Sequence, residues 1–339
     1  METIETHFAW VFLVGERAYK LKKPVRRASM NYSTLARRER ACREELELNR
    51  RLAPGVYLRV VPLGRDRHGA LIRGGGVRVV DWLVEMVRLP EARRLDRAIR
   101  TGAIGPGDLE PVVTRLATFF QRAERRPMSD RRYLARLRHQ VLCDAQALLA
   151  SDLLLDRCLV EEVCCSQLAF LEECAPLLAG RGERLRDGHG DLRPEHVFLG
   201  DRGAAACVID CLEFDRDLRR LDPAEEMAFL ALECRRLGAA GIADELMARY
   251  ARATGDPAPR SLSHFYMARR AAVRALIAAW HLRDPAFSEE SGKWSARAHS
   301  YLRDALRHTR RALPRHRDWR INPPALPASA PGEAPRVCP

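Results

Sequence analysis

The sequence predicts an α+β protein built as two lobes, a small strand-rich N-lobe and a larger helical C-lobe. Three observations carry the prediction. Up to about Leu89 apolar and polar residues alternate between turn signals, after Pro90 apolar residues recur at the helical period, and one strand–turn–strand island at about 196–210 interrupts the helices. At 339 residues the chain is long enough for two lobes with a buried core.

The first lobe is read as residues 1–89. In it "FAWVFLVGERAYKLKKPV", Phe8 to Val25, gives two short strands joined by a turn at Gly15-Glu16, with Pro24 closing the second. Ser33 and Thr34 open a helix that runs to about Leu52 and stops at Ala53-Pro54-Gly55, with Ser33 as its N-cap. "VYLRVVPLG", "ALIRG" and "VRVVDWLVEMVRLP" supply three further strands. The second lobe, 90–313, reads as helices at 108–126, 130–150 and 156–179, then the strand island, then helices at 222–238, 241–254, 261–283 and 290–313. Asp222 before Pro223 is an N-cap signal. Residues 314–339 are Pro-rich and without period, so a disordered tail is expected there. No internal repeat is visible.

Composition narrows the class. Hydrophobic content of 47% beside 30% charged residues fits a soluble globular protein. No run reaches the roughly 18 uninterrupted apolar residues of a membrane helix, and "METIETHFAW" lacks a basic segment followed by an apolar one, so no membrane partner and a cytoplasmic location are expected. The 10 cysteines are scattered, form no C-x-x-C pair, and read as reduced thiols. A net charge of +13 invites a nucleic-acid reading. Against it, the arginines of "TLARRERACREELELNRRL" alternate with glutamates at ion-pairing distance along a helix. Aromatic residues are 6% of the chain and do not interleave with a basic patch, so no nucleic-acid partner is expected.

The chemistry concentrates in "DGHGDLRPEHVFLGDRGAAACVIDCLEFD", Asp187 to Asp215. His189-Gly190-Asp191 reads as a turn presenting a catalytic carboxylate, and Asp210 closes the apolar run "ACVID". A hairpin around "GDRG" would set Asp191 and Asp210 side by side, and two converging carboxylates suit a hard cation. Phosphoryl transfer asks for these parts and a lysine on the phosphates. His189 itself reads as a buried structural histidine that bonds the hairpin.

The motifs "HGDLRPEHVFL" and "VIDCLEF", followed by "RLDPAEEMAFLA", resemble the aminoglycoside phosphotransferase and choline kinase group. The resemblance runs to about Leu313 and implies a protein-kinase-like fold. "THFAWVFLVGERAYKLKKPV" is similar to the N-lobe opening of an uncharacterised bacterial branch of that group, whose members often carry a separate small kinase domain that this sequence lacks. By the resemblance Asp191 takes the catalytic-base position and Asp210 the magnesium position. Lys20, or Lys22 two residues on and on the same face, takes the phosphate-binding position, with Glu44 or Glu45 as its ion-pair partner. The backbone from Glu85 to Leu89 falls on the hinge that meets adenine. The implied cofactors are ATP and Mg²⁺.

Two departures qualify the resemblance. Where the group has Asn as a second metal ligand, five positions after the catalytic Asp, this chain has His196; it would either ligate metal, with some preference for Mn²⁺, or stand beside it. The chain before Thr6 is short, so the first strand and the phosphate-covering turn are expected to be abbreviated, and no G-x-G-x-x-G is present. For the acceptor, Tyr266, Arg270 and Arg274 recur every four residues on one helix face. They form either a solvated stripe or the edge of a pocket for an anionic small molecule, whereas Glu213, Asp215 and Asp217 would bind a cation. The expected function is an ATP-dependent phosphotransferase acting on a small-molecule hydroxyl, not an aminoglycoside. The rival is a catalytically silent kinase-like domain that binds nucleotide or a protein partner.

Overall fold

The computed structural model describes residues 2–27, 30–105, 107–150, 153, 155–200, 205–283 and 289–313. The tail expected at 314–339 and most of the "GDRG" turn lie outside these residues. By internal contacts the chain forms two compact units. One comprises Met1–Ala123, Gly188–Arg220 and Arg236–Gly241, and the other Glu124–Asp187, Leu221–Arg235 and Ile242–Pro339.

The first unit is built on a six-stranded antiparallel sheet in the order β1-β2-β3-β6-β4-β5. Its strands are β1 (Glu2–Glu5), β2 (Ala9–Val14), β3 (Arg17–Lys22), β4 (Tyr57–Arg65), β5 (Leu71–Arg73) and β6 (Arg78–Val87). Gly15 turns β2 into β3 with φ +54°, a left-handed conformation that costs glycine nothing. β1 corrects the sequence reading, which placed no strand before residue 8. All four of its residues are exposed, so it carries no apolar alternation to betray it. In β3 the period of two sends Ala18, Lys20 and Lys22 to one face and Tyr19 and Leu21 to the other. Tyr19 packs there with Val61 and Leu83, while Ala18 joins Cys42, Tyr57, Val84 and Met86 in a second core cluster.

Helix α1 (Leu35–Arg50) begins at Thr34, whose hydroxyl accepts from the Arg37 amide at 3.3 Å. The expected cap, Ser33, instead donates to Asn31 Oδ1 at 2.7 Å. The buried residues of α1 are Arg38, Ala41, Cys42, Glu45 and Asn49, one face at helical spacing in which three of five side chains are polar. α2 (Leu95–Thr101), a helix the sequence reading left out, follows β6 and ends at Gly102. α3 (Leu109–Arg122) buries Val112, Val113, Leu116, Phe119 and Phe120. A minimal hairpin pairs Val197 with Val208 and Phe198 with Cys207. α6 (Arg216–Arg219) is a single turn after it.

The second unit is helical: α4 (Asp130–Leu148), α5 (Arg157–Glu173), α7 (Pro223–Arg236), α8 (Ala240–Thr254), α9 (Arg260–Trp280) and α10 (Ser291–Ala312). α7 starts where the sequence placed it, with Asp222 Oδ1 accepting from the Ala224 amide at 3.0 Å. Arg181 forks onto the same carboxylate with two bonds of 2.6 Å and also reaches Asp256 at 2.7 Å. No single helix among the described residues is long and apolar enough to cross a membrane.

Candidate functional site

Both lysines of β3 meet one carboxylate. Lys20 Nζ donates to Glu45 Oε1 at 2.8 Å and Lys22 Nζ to Glu45 Oε2 at 2.6 Å, so Glu45 divides its two oxygens between them. Glu44, one residue and about 100° away on α1, is exposed. Beyond Glu45 the lysines diverge. Lys20 donates to Asp210 Oδ1 at 2.7 Å, and Lys22 donates to Glu213, which also accepts from the Tyr32 hydroxyl at 2.5 Å. Side-chain exposure separates their roles: 16% for Lys20 against 2% for Lys22. Lys20 is the lysine a ligand can reach.

Burial alone would strip charge from these groups, and mutual attraction overrides it. Desolvation pulls the Lys20 ammonium down, but Asp210, Glu45 and Glu213 raise it well above the ordinary lysine value. Burial pushes the Asp210 carboxyl up, and the charges of Lys20 and His196 bring it far below the carboxylate range. Glu213 is lowered in the same way by Lys22 and Lys20. Lys20, Asp210 and Glu213 are thus held in their charged forms, which water-poor sites allow only to closely paired charges.

Asp210 has φ +64°, the left-handed conformation that no other described non-glycine residue adopts. Asp tolerates this region better than most side chains, and such strained backbone clusters at functional positions. The flanking groups hold it. The Asp210 amide donates to the Tyr57 hydroxyl at 3.2 Å, and the Cys211 amide to Asn49 Oδ1 at 2.9 Å. Asn49 Nδ2 donates in turn to the Glu45 carbonyl at 2.8 Å. Arg51 Nη2 donates to the Gly188 carbonyl at 3.2 Å. Tyr32, Asn49, Arg51 and Tyr57 were not read from the sequence as site residues, because their partners are a carboxylate or backbone groups remote in sequence.

On the other side, His189 is fully buried. Its Nε2 donates to the Ile209 carbonyl at 2.9 Å and its Nδ1 accepts from the Asp191 amide at 3.2 Å. Burial, aided by His196, lowers its pKa to about 4, so it is neutral and structural. Gly190 has φ +89°, and a Cβ there would stand 2.8 Å from Leu212 Cδ1, so only glycine suits the turn. Asp191 Oδ2 accepts from Arg193 Nε at 3.0 Å. His196 Nδ1 donates to the Asp191 carbonyl at 2.8 Å, and Nε2 lies 3.4 Å from Asp210 Oδ2. The structure thus brings Lys20, Lys22, Glu45, Asp191, His196, Asp210 and Glu213 into the first unit's cluster.

Among the described residues no group of three or more His, Cys, Asp or Glu is arranged to hold a metal by itself. The half-exposed Asp210 carboxylate suits an ion that takes one or two protein oxygens and draws its other ligands from phosphates and water, which is how Mg²⁺ is usually bound. In the hinge stretch, the Val87 amide already donates to the Val56 carbonyl and the Arg88 amide to the Glu16 carbonyl, both at 2.9 Å. Glu85 turns its buried carboxylate to Arg59 Nε at 2.8 Å.

The α9 stripe belongs to the second unit and is not solvated, which corrects one of the two sequence readings. Tyr266 is fully buried and donates to Asp222 Oδ2 at 2.8 Å. Arg270 Nε meets Glu225 Oε1 at 3.0 Å with its guanidinium over the Phe229 ring, and Arg274 lies 5.8 Å from the centre of the Tyr301 ring. Glu213, expected as a cation ligand for substrate, is taken up by Lys22 and Tyr32.

No family model matches the chain. It is 36% identical over 288 residues to uncharacterised proteins of Mycobacterium tuberculosis and Mycobacterium bovis, an alignment covering 80% of this chain and 53% of theirs. The chain thus spans about half the length of the curated relatives it matches. Among solved structures it is similar to an ethanolamine kinase of Plasmodium vivax, with a TM-score of 0.55 and 9% identity over 92% of this chain and 83% of that one. It is also similar to the GDP complex of an aminoglycoside 2′-phosphotransferase, with a TM-score of 0.54 and 16% identity over 90% of each chain. The chain therefore has the kinase-like α+β fold that these two phosphotransferase structures share.

Proposed function

We propose that this chain is an ATP-dependent phosphotransferase acting on a hydroxyl of a small molecule other than an aminoglycoside. The observation that carries the reading is Lys20 bridging Glu45 and Asp210 within one cluster that also contains Asp191. A lysine fixed by a buried glutamate, beside a carboxylate for the cation and another for the acceptor, is the equipment of phosphoryl transfer. Lys20 would leave Asp210 for the phosphates and remain oriented by Glu45. Asp210 would hold Mg²⁺, or Mn²⁺, which when bound neutralises charge developing on the phosphates. Asp191 would orient the acceptor hydroxyl and take its proton as its oxygen bonds to the γ-phosphorus and the bond to ADP breaks. The buried, paired Lys22, Glu213 and Tyr32 would keep β3 and the hairpin in register. The fold's occurrence in a GDP complex supports nucleotide binding. The described cysteines are all free thiols, which supports a cytoplasmic setting.

Arg270 and Arg274 no longer argue for an anionic acceptor, since Arg270 is held by Glu225 and Arg274 faces Tyr301. A second reading, nucleotide binding without transfer, draws on the guanidinium of Arg193 held against Asp191 Oδ2.

The test is a thermal-shift titration with ATP and with GTP, each with Mg²⁺ or Mn²⁺, on the wild type and on Asp210→Ala. A ligand bound only by the folded state raises the melting temperature by mass action. A metal-dependent rise lost in Asp210→Ala is expected; no rise under any condition would refute the nucleotide site. Asp191→Asn should keep the rise and lose phosphoryl transfer to an acceptor by a factor of about 10² or more, the scale of a lost general base. Binding without turnover in the wild type, across an acceptor screen, would favour the second reading.

A further inference from the structure

We propose that the C-terminal half of α10 carries a binding groove for a phosphate-bearing small molecule. The proposal concerns the second unit alone and does not depend on the phosphotransferase reading. Arg303, Leu306, Arg307, Arg310 and Arg311 line a groove of about 440 Å³, within the range of small-molecule sites. The four arginines stand at i, i+4, i+7 and i+8, hence on one face of the helix, and all four are exposed.

The charge there is not balanced. Arg307 donates to Asp304 at 2.7 Å and Arg310 to Glu162 at 2.5 Å, but among the described residues neither Arg303 nor Arg311 meets a carboxylate. Two other helices add to the excess. Burial lowers the pKa of His264 and His308, and Arg311 and Arg235 lower both further, with Arg260 acting on His264 and Arg307 on His308. Arginines of α7, α9 and α10 thus gather around one histidine pair, and Arg235 of α7 donates to Asp244. Arg235 Nε is nonetheless buried without a hydrogen-bond partner among the described residues. A helix C-terminus favours cations, which accounts for Arg310 and Arg311 but not for Arg303, two turns back, or for Arg235 and Arg260 on other helices. Such a gathering of like charge is relieved by an anion, and guanidinium forks match the oxygens of a phosphate. Leu306, half-buried among them, offers an apolar contact to the rest of the ligand. No aromatic side chain lines the groove to stack a base, which favours a small phosphate ester over a nucleic acid.

The test is calorimetric titration with inorganic pyrophosphate, in the presence of a chelator so that no divalent cation takes part. One saturable site per chain is expected for the wild type. Arg303→Ala combined with Arg311→Ala should weaken it about tenfold or more, the scale of lost charge-assisted hydrogen bonds. Arg131→Ala combined with Arg132→Ala removes the same charge from exposed positions on α4 and should leave the affinity within about twofold, as expected of surface changes away from the groove. Variants are compared once their melting transitions match the wild type, and Arg303→Ala alone, farthest from the helix end, serves if the pair does not fold. No saturable binding by the wild type, or equal weakening by the two pairs, overturns the proposal. A duplex oligonucleotide bound more tightly than pyrophosphate, and lost with Arg303 and Arg311, overturns the small-molecule class.

Discussion

Glu45 is fully buried and is the counterion of two ammonium groups at once. Removing it leaves Lys20 leaning on Asp210 alone and Lys22 on Glu213 alone, each with part of its charge uncompensated. Glu45→Ala is therefore expected to destabilise the protein by about 3–5 kcal/mol, the range for breaking a buried ion pair. Urea unfolding of the variant checks it, and Glu44→Ala, at an exposed position, should stay within about 0.5 kcal/mol of the wild type. The two glutamates also show what a sequence can resolve. That Asp191, Asp210, Lys20 and Lys22 fall in one cluster was legible, the aspartates from the spacing of their motif and the lysines from the resemblance carried by "AYKLKK". The choice between Glu44 and Glu45 was not, since it turns on the rotational phase of α1 about its axis. Tyr32 and Tyr57 gave no signal at all: a tyrosine donating to Glu213 or accepting from the Asp210 amide looks like any other core tyrosine until the fold brings them together.

At the scale of elements, α1 and the Asp210 hairpin are fastened by Asn49. Its Oδ1 accepts from the Cys211 amide, and Cys211 is buried, so truncation removes the side-chain acceptor of a buried donor. Asn49→Ala is expected to cost about 1–3 kcal/mol, typical of a buried amide left unsatisfied. It should also lower the nucleotide-dependent thermal shift, because the residue next to Asp210 loses its anchor. A variant with normal melting and a normal shift would argue against the fastening role. The helices were the most legible elements, α4, α7, α9 and α10 starting within a residue or two of their expected ends, because long apolar periods and caps such as Asp222 mark them. β1 and α2 were missed for opposite reasons. The first is exposed on both faces, and the second is seven residues long, too short for a period to stand out.

For the molecule as a whole, pH acts through neutral histidines that are wholly or partly buried. In the second unit His264 and His308 face each other with Nδ1 atoms 3.0 Å apart. Burial lowers their pKa values to about 4 and about 3, helped for His264 by Arg311, Arg235 and Arg260 and for His308 by His264, Arg311, Arg235 and Arg307; Asp244 pulls the other way on His264. An unfolded histidine protonates near 6.5, so the unfolded state binds the extra protons and the stability from these groups is whole above that pH. It should drain away as the pH falls from 6.5 toward 4, with a slope of up to about 1.4 kcal/mol per pH unit for each histidine. Melting temperature against pH is expected to fall through that window in the wild type and less steeply in His308→Gln; equal slopes would count against the pair.

The first unit has a further property that lies in time rather than space. Lys20 and Lys22 find their last carboxylates, Asp210 and Glu213, 190 and 191 residues later in the chain. At about 5–20 residues per second, a ribosome separates the two groups by roughly 10–40 s. During that interval the sheet and α1 hold two lysines and one glutamate between them, an excess of positive charge that burial would penalise. The nascent N-terminal sheet must then wait, with its lysine face wet, until the hairpin emerges to neutralise it. The same ion pairs that hold the finished cluster thus cannot close until the hairpin has left the ribosome.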